Sequence, residues 1–273
     1  MMKIKIKAWN SQSFWIFLFC YACFVHNSSA QIRVYEKEIS KGQYHLFAEN
    51  NAPVPYTIQL DLKLKNMKST CEQGQNFVIP AKTKDHQLTT LKAGKGKYAY
   101  HVQFESTKGI NTGHHHDDHY IYSIPVSQPI KIIQGYGGKF SHVDKKALDF
   151  GIKQGSDVLA AREGIVLETK EDGRHNCLEM GCEKEGNYIK ILHSDGSVAS
   201  YYHLKHKGVL VDVGHIIEKG QLIGITGNTG FSSEPHLHFE VYSIDNGKKK
   251  FHSCKFQISA NKVIAGDDMK PKS

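Results

Sequence analysis

The stretch "SSEPHLHFEV", residues 232–241, places two histidines two residues apart in a segment that otherwise has the character of a buried strand. Side chains at i and i+2 of a β-strand point to the same face, about 6.5 Å apart along the chain. His236 and His238 therefore project together, whereas Leu237 and Phe239 face the opposite side. Zinc–imidazole bonds are about 2.0–2.1 Å long, so both rings can line one metal pocket. An antiparallel strand with two partly exposed polar positions gives the same pattern.

Strand-like segments separated by glycine turns surround this stretch. They predict an antiparallel β domain over residues 125–250. Its segments are "DVLAAREGIVLET" (157–169), "NYIKILH" (187–193), "SVASYYHL" (197–204) and "QLIGITG" (221–227). Residues 31–124 also lack a helical pattern, and "PYTIQLDLKL" (55–64) alternates apolar and polar residues with the period of a strand. The sequence thus predicts an all-β protein with a β-sandwich-like first domain.

The two ends of the chain carry no such pattern. Three early lysines, the apolar run Phe14–Val25 and the small residues before Gln31 are typical of a secretory signal over residues 1–30. A lipoprotein signal at Cys20 or Cys23 fits less well, because bulky aromatics precede both cysteines. Residues 251–273 are rich in lysine and aspartate and predict a frayed C-terminal tail.

Charge and hydropathy limit the possible partners. Cleavage after Ala30 removes three lysines and reduces the formal net charge from +8 to +5. A weak positive charge favours contact with anionic polymers such as cell walls, and it is too small to indicate nucleic-acid binding. No other stretch is long and apolar enough to span a bilayer. We therefore expect an exported, secreted or periplasmic monomer without a membrane span in its mature form.

Three further residues complete a candidate metal site with the paired histidines. His203 ends one predicted strand, and "FSHVDKKALDFGI" supplies His142 and Asp149 ahead of another. A catalytic zinc ion typically takes three protein ligands from His, Asp or Glu and keeps one position open. Five such groups from three segments suffice for three ligands and two residues that handle protons.

The order of these motifs resembles that of the lysostaphin/LytM-type zinc endopeptidases. The resemblance runs from "GYGGKFSH" to "PHLHFEVY", about half of the mature chain, and "HIIEKGQLIGITGNTGFSSEPHLHFEV" is its most specific part. It implies the family's antiparallel β fold, which is similar to the duplicated hybrid motif. It also implies one Zn²⁺ per chain, held by His142, Asp149 and His238. His203 and His236 match the family's catalytic pair.

The first ligand departs from the commonest family spacing. A His-x-x-x-Asp pattern would place that histidine at position 145, where this chain has Lys145. An ammonium group has no lone pair for a metal. His142, seven residues before Asp149, resembles a subgroup with a longer loop. The alternative is a site with two ligands that holds metal poorly.

The resemblance implies hydrolysis of peptide bonds in the stems or cross-bridges of bacterial peptidoglycan. It leaves open which bond is cleaved and which of His203 and His236 is the general base, although His203 is favoured. A non-catalytic module that binds the wall or activates an amidase is the alternative. The first domain is either a substrate-positioning module or a cover over the cleft.

The segment "TGHHHDDHYIY" (112–122) offers a second possible metal site, and a metal-binding protein that uses His114 to His119 is a third hypothesis. Adjacent residues in a polar connector do not converge on one point, so we interpret it as a solvated loop. His252 likewise has the context of a surface residue. Asn187 fits a turn that begins a strand, with a possible role in shaping the site.

Four cysteines follow the predicted signal, and an even number in an exported protein favours disulfides. Cys177 and Cys182 flank a short loop and are expected to pair. By elimination, Cys71 would then pair with Cys254.

Overall fold

The computed structural model describes residues 6–9, 31–113, 116–127, 129–179, 181–245 and 247–271. It divides the chain into two compact units, with the division between Lys108 and Gly109. Within the described ranges, no helix has the length and hydrophobicity needed to cross a membrane. Most of the predicted signal segment lies outside the described residues. Only Ile6–Trp9 of that segment is described, as a strand.

The described residues of the first unit form eight strands. In chain order they are β1 (Ile6–Trp9), β2 (Ile32–Ser40), β3 (Gln43–Asn50), β4 (Tyr56–Lys65), β5 (Met67–Ser69), β6 (Asn76–Ile79), β7 (Thr83–Ala93) and β8 (Ala99–Lys108). They form two four-stranded sheets, ordered β1-β8-β4-β6 and β2-β3-β7-β5. Alternating apolar side chains of both sheets, such as Leu46, Ile58 and Val102, share one core. This arrangement is the sandwich that the alternating pattern predicted.

The described part of the second unit contains the remaining strands and two short 3₁₀ helices. The strands are β9 (Ile121–Ser123), β10 (Ile132–Gln134), β11 (Ala147–Gly151), β12 (Asp157–Leu159), β13 (Gly164–Lys170), β14 (Asn176–Cys177), β15 (Tyr188–Leu192), β16 (Val198–Tyr202), β17 (Leu204–Val209), β18 (Ile216–Ile217), β19 (Leu222–Thr226), β20 (Gly230–Phe231), β21 (His236–Asp245), β22 (Lys248–Phe251), β23 (Lys255–Ser259) and β24 (Lys262–Ala265). The 3₁₀ helices are η1 (Cys182–Glu185) and η2 (Gly266–Asp268). The prediction of an all-β fold is confirmed.

One antiparallel sheet organises this unit. Its order is β10-β11-β21-β16-β15-β13-β18, and β22 also pairs with β21. Strand β21 is buried along most of its length, because β11 and β16 flank it and its side chains pack on both faces. Leu237, Phe239 and Val241 enter the core from one face of β21. The histidines alternate with them and occupy the other face.

The C-terminal segment forms part of this unit, so the prediction of a frayed tail is wrong for residues 251–271. Strand β23 pairs in parallel with β9 and antiparallel with β24. Phe256 is fully buried, and Met269 is buried in the same core. These apolar side chains are isolated in a polar sequence, which hides the strand pattern. Residues 109–124 also belong to the second unit, so the division falls earlier than the expected boundary after residue 124.

Candidate metal centre and active site

Strand pairing brings Asp149 and His238 together. Strand β11 runs antiparallel to β21, with Asp149 directly opposite His238 and Gly151 opposite His236. Leu148 and Phe150 of β11 point into the core, so Asp149 projects from the histidine face. The carboxylate Oδ1 of Asp149 lies 2.9 Å from Nδ1 of His238. The register of two strands thus sets two of the three predicted ligands side by side.

His142 reaches the same point from the loop between β10 and β11. Its ring is fully buried, and its Nε2 lies 3.2 Å from both Oδ1 of Asp149 and Nδ1 of His238. Nδ1 donates a hydrogen bond to the carbonyl of Gly135 at 2.9 Å, which fixes the ring. Lys145 is exposed, and its backbone amide donates a hydrogen bond to the carbonyl of His142. The structure therefore brings His142, and not position 145, to the other two predicted ligands.

The three ligand atoms fit a tetrahedral metal ion. Zinc bonds of about 2.0–2.1 Å would separate tetrahedral ligand atoms by about 3.3 Å. The observed separations among His142, Asp149 and His238 are 2.9, 3.2 and 3.2 Å. Both histidines also direct their other nitrogen to an acceptor, as metal-ligating histidines usually do. Two imidazoles and one carboxylate suit zinc and leave a fourth position for water or substrate.

Glu240 is a site residue that the sequence reasoning missed. Its Oε2 lies 3.4 Å from Nε2 of His238, and its Oε1 accepts a hydrogen bond from Nζ of Lys249 at 2.8 Å. The side chain is buried. The signal was available, because "HLHFE" places positions 236, 238 and 240 on one face of a strand. Glu240 thereby holds the His238 ring from the side opposite Asp149.

The two remaining histidines present matching nitrogens to the site. Nδ1 of His203 donates to the carbonyl of Thr229 at 2.7 Å, and Nδ1 of His236 donates to the carbonyl of Glu234 at 2.8 Å. Their ring centroids are 4.5 Å apart. Each ring is therefore held in the tautomer that leaves Nε2 unprotonated, and Nε2 of His236 lies 3.7 Å from Oδ1 of Asp149.

Burial and neighbouring charges give these groups different proton affinities. Burial, reinforced by His236 and His238, lowers the pKa of His203 to about 3. Burial also lowers the pKa of His236. The pKa of His238 is raised to about 9, because hydrogen bonds to Asp149 and Glu240 outweigh the opposing effect of burial. Two carboxylates thus stabilise positive charge at His238, while His203 and His236 stay neutral.

Residues 143–251 match the model of peptidase family M23. These residues form a peptidase family M23 domain. The matched range begins one residue after His142 and includes Asp149, His203, His236 and His238. The individual roles of these five residues stay predictions.

Characterised and uncharacterised relatives share this domain. An uncharacterized metalloprotease of Buchnera aphidicola subsp. Baizongia pistaciae is 30% identical over 46% of this chain and 34% of its own length. The peptidoglycan DD-endopeptidase ShyA of Vibrio cholerae is 33% identical over 34% of this chain and 19% of its own length. Lysostaphin of Staphylococcus staphylolyticus is 33% identical over 45% of this chain and 24% of its own length. The chain thus matches about a third or less of each relative.

The second unit has a cleft of about 430 Å³ over the site. His203, His236 and His238 line its floor. Phe140 and Phe231 stack at one wall, with ring centroids 5.6 Å apart. Phe140 is 61% exposed, which is unusual for so large an apolar side chain. The cleft thus combines a polar floor with an aromatic wall.

A disulfide secures one wall of this cleft. Cys177 and Cys182 are bonded, which confirms the predicted pair. Asn176 and Cys177 pair in parallel with Gly230 and Phe231, so the closed loop is tied to the aromatic wall. Cys71 and Cys254 are free, and the pairing inferred for them by elimination is wrong. Cys254 is instead buried in the core of the second unit.

The histidine tract and His252 are also placed differently from their predictions. His114 and His115 lie outside the described residues. His116 is buried, and its ring stacks on that of His252, with centroids 4.7 Å apart. His252 is buried as well. The interpretations of a solvated loop and of a surface histidine are therefore wrong for these two residues, because each ring packs against the other.

Proposed function

We propose that this protein is an exported zinc endopeptidase that cleaves peptide bonds in the stems or cross-bridges of bacterial peptidoglycan. The observation that carries the proposal is the convergence in one cleft of three potential ligands and two neutral histidines. The ligands are His142, Asp149 and His238. The names of relatives such as ShyA and lysostaphin support peptidoglycan as the substrate class.

Zinc is the metal that the ligand set favours. His142 and His238 supply imidazole nitrogens and Asp149 a carboxylate, which leaves the site with one net positive charge when Zn²⁺ is bound. A bound zinc ion polarises the scissile carbonyl and lowers the pKa of water towards neutrality. Glu240 would act on this site only through His238, by keeping that ring oriented and basic.

His203 and His236 divide the proton transfers. Each presents an unprotonated Nε2 to the cleft while its Nδ1–H is held by a backbone carbonyl. We assign His203 as the general base, because burial keeps its ring neutral and its unprotonated Nε2 can accept a proton. His236 lies beside Asp149, whose carboxylate favours protonation of its ring. In its protonated form, His236 would stabilise negative charge on the carbonyl oxygen and give its proton to the leaving amine, while His203 keeps the proton taken from water.

The proposal of export rests on two features. Residues 1–30 have the composition of a secretory signal. The disulfide between Cys177 and Cys182 is typical of an oxidising compartment. Cleavage after Ala30 would remove β1, which pairs with β8 at the edge of its sheet, and would leave β8 paired with β4. N-terminal sequencing of the protein recovered outside the cytoplasm tests this step.

Alanine variants of the site test the catalytic proposal. His238→Ala should lower the zinc content by one ion per chain and remove turnover, whereas His203→Ala should keep the wild-type zinc content and remove turnover. His215→Ala is the matched control, because that histidine is exposed and outside the cleft. Zinc is measured by elemental analysis, and turnover by mass spectrometry of fragments released from purified sacculi. Full turnover by both site variants would refute the proposal. Binding to sacculi by the wild type without fragment release would instead support the non-catalytic wall-binding module.

A further inference from the structure

A second cluster of metal-ligating groups lies outside the cleft. His116 and Asp118 come from the segment before β9, and His252 comes from the turn after β22. One ligand atom from each lies within 4.8 Å of the other two. Nδ1 of His116 and Oδ1 of Asp118 are 3.0 Å apart. Neighbouring residues of a polar segment do not form a metal site by themselves. Here His252, from the end of a distant strand, supplies the third possible ligand.

Both imidazoles of the cluster are held by hydroxyl groups. Nε2 of His116 lies 3.0 Å from the hydroxyl of Tyr122, and Nε2 of His252 lies 2.9 Å from Oγ of Ser243. With each Nε2–H donating to its hydroxyl, Nδ1 is the nitrogen that each ring offers as a ligand. Metal-ligating histidines are typically fixed by such a bond on the other nitrogen. His142 and His238 in the cleft show the same arrangement.

The cluster is separate from the catalytic site. Ser243 follows Leu237, Phe239 and Val241 on the core face of β21, whereas His238 occupies the opposite face. Ser243 is also five residues further along the strand, about 16 Å at the usual rise. The cluster and the cleft therefore lie on different faces of the sheet and share no residue.

The cluster is open to solvent on one side. The side chain of His116 is 1% exposed and that of Asp118 is 83% exposed. An ion can therefore enter beside Asp118 and keep water in its remaining coordination positions. Two imidazoles and a carboxylate select a divalent cation of borderline softness, such as Zn²⁺, over Mg²⁺ or Ca²⁺, which prefer oxygen ligands.

We propose that His116, Asp118 and His252 form a second Zn²⁺ site, which fastens the segment before β9 to the end of the β21–β22 hairpin. This role is structural and is independent of peptide hydrolysis. The ion would bridge groups that lie more than a hundred residues apart in the chain. It would thereby limit local opening of the segment that joins the M23 domain to the preceding unit.

Zinc stoichiometry of the full chain tests the proposal. After chelator treatment, equilibrium dialysis against Zn²⁺ should load two ions per wild-type chain and one per Asp118→Ala chain. His119→Ala is the matched control, because it alters an exposed histidine of the same segment outside the cluster and should still load two. Asp118 is exposed, so its substitution should not impair folding.

Two further measurements separate this site from the catalytic one. Asp118→Ala should retain wild-type turnover on sacculi, and His252→Ala should lose the same single ion as Asp118→Ala. Equal zinc content in Asp118→Ala and wild type would overturn the proposal. So would the loss of an ion by His119→Ala, which would indicate diffuse binding along the tract. Failure of the catalytic proposal gives a different result, with turnover absent while Asp118→Ala still loses one ion.

Discussion

Asn187 connects three segments beside His203, and its removal should destabilise the M23 domain strongly. The residue is fully buried. Its Nδ2 donates to the carbonyls of Gly173 at 2.9 Å and Leu204 at 3.2 Å, and its Oδ1 accepts from the amide of Gly173 at 2.8 Å. Asn187→Ala removes all three bonds. The sequence alone indicated only a turn residue with a possible role in shaping the site.

The expected loss follows from which groups are left without a partner. The carbonyl of Leu204 keeps a hydrogen bond from Oγ1 of Thr229 at 2.8 Å. The amide and carbonyl of Gly173 lose the bonds to Asn187. Each buried polar group left unsatisfied costs about 1–3 kcal/mol, so we expect Asn187→Ala to lower the free energy of unfolding by about 2–6 kcal/mol. Turnover should also fall, because the lost side-chain amide donates to the carbonyl of Leu204, the residue that follows His203.

Urea unfolding in excess chelator measures this loss without any contribution from bound metal. Asn176→Ala is the matched control, since its exposed side chain makes one hydrogen bond, to the carbonyl of Ser232 at 3.0 Å. That variant should lose about 1 kcal/mol or less. If both variants lose the same free energy, the reasoning about unsatisfied groups at Gly173 is wrong.

Three further perturbations test other parts of the M23 domain. Glu240→Gln replaces the carboxylate that orients His238 with a neutral amide. Zinc affinity, measured in competition with a chromophoric chelator, should therefore fall about 10–100-fold. An unchanged affinity would show that Glu240 does not orient His238 for metal binding. Burial lowers the pKa of His193 to about 4, below its unfolded value of about 6.5. Between these two pKa values the unfolded state therefore binds more protons than the folded state. The free energy of unfolding should fall by up to about 3 kcal/mol as the pH drops from 6.5 to 4. In urea titrations, His193→Gln should reduce this pH dependence. Gly227→Ala places a Cβ 2.4 Å from the amide nitrogen of Lys205. The melting temperature should therefore fall by an amount that corresponds to a loss of about 1–3 kcal/mol in the free energy of unfolding. An unchanged melting temperature would contradict this contact.

Local sequence patterns were sufficient to predict several strands and the face of β21 that carries His236 and His238. Alternation with a period of two predicted β4, and short strand-like segments between glycine turns predicted β15, β16 and β21. Both signals are local, and the alternation depends only on the backbone geometry of one strand. The same period placed His236 and His238 on one face. The same period also places Glu240 on this face. Its role was not predicted, because a glutamate on the polar face of a strand is common without a functional role.

Patterns failed where long-range packing overrides composition. The lysine-rich end of the chain gave no signal for β23 and β24, yet a few apolar residues suffice when a core is available to receive them. The disulfide inferred by elimination between Cys71 and Cys254 was wrong, because an even number of cysteines does not identify which of them pair. His116 and His252 appeared to be surface residues because their contact is with each other.

The sequence by itself determined the all-β class, the histidine face of β21 and the set of residues from which a metal site could be made. The tertiary structure decided which of them converge. Asp149 faces His238 through the register of β11 on β21, and the loop carrying His142 closes over both. It alone also revealed the His116–Asp118–His252 cluster. The reason is physical: side-chain periodicity is fixed within a strand, whereas convergence depends on how distant strands pair and how loops pack around them.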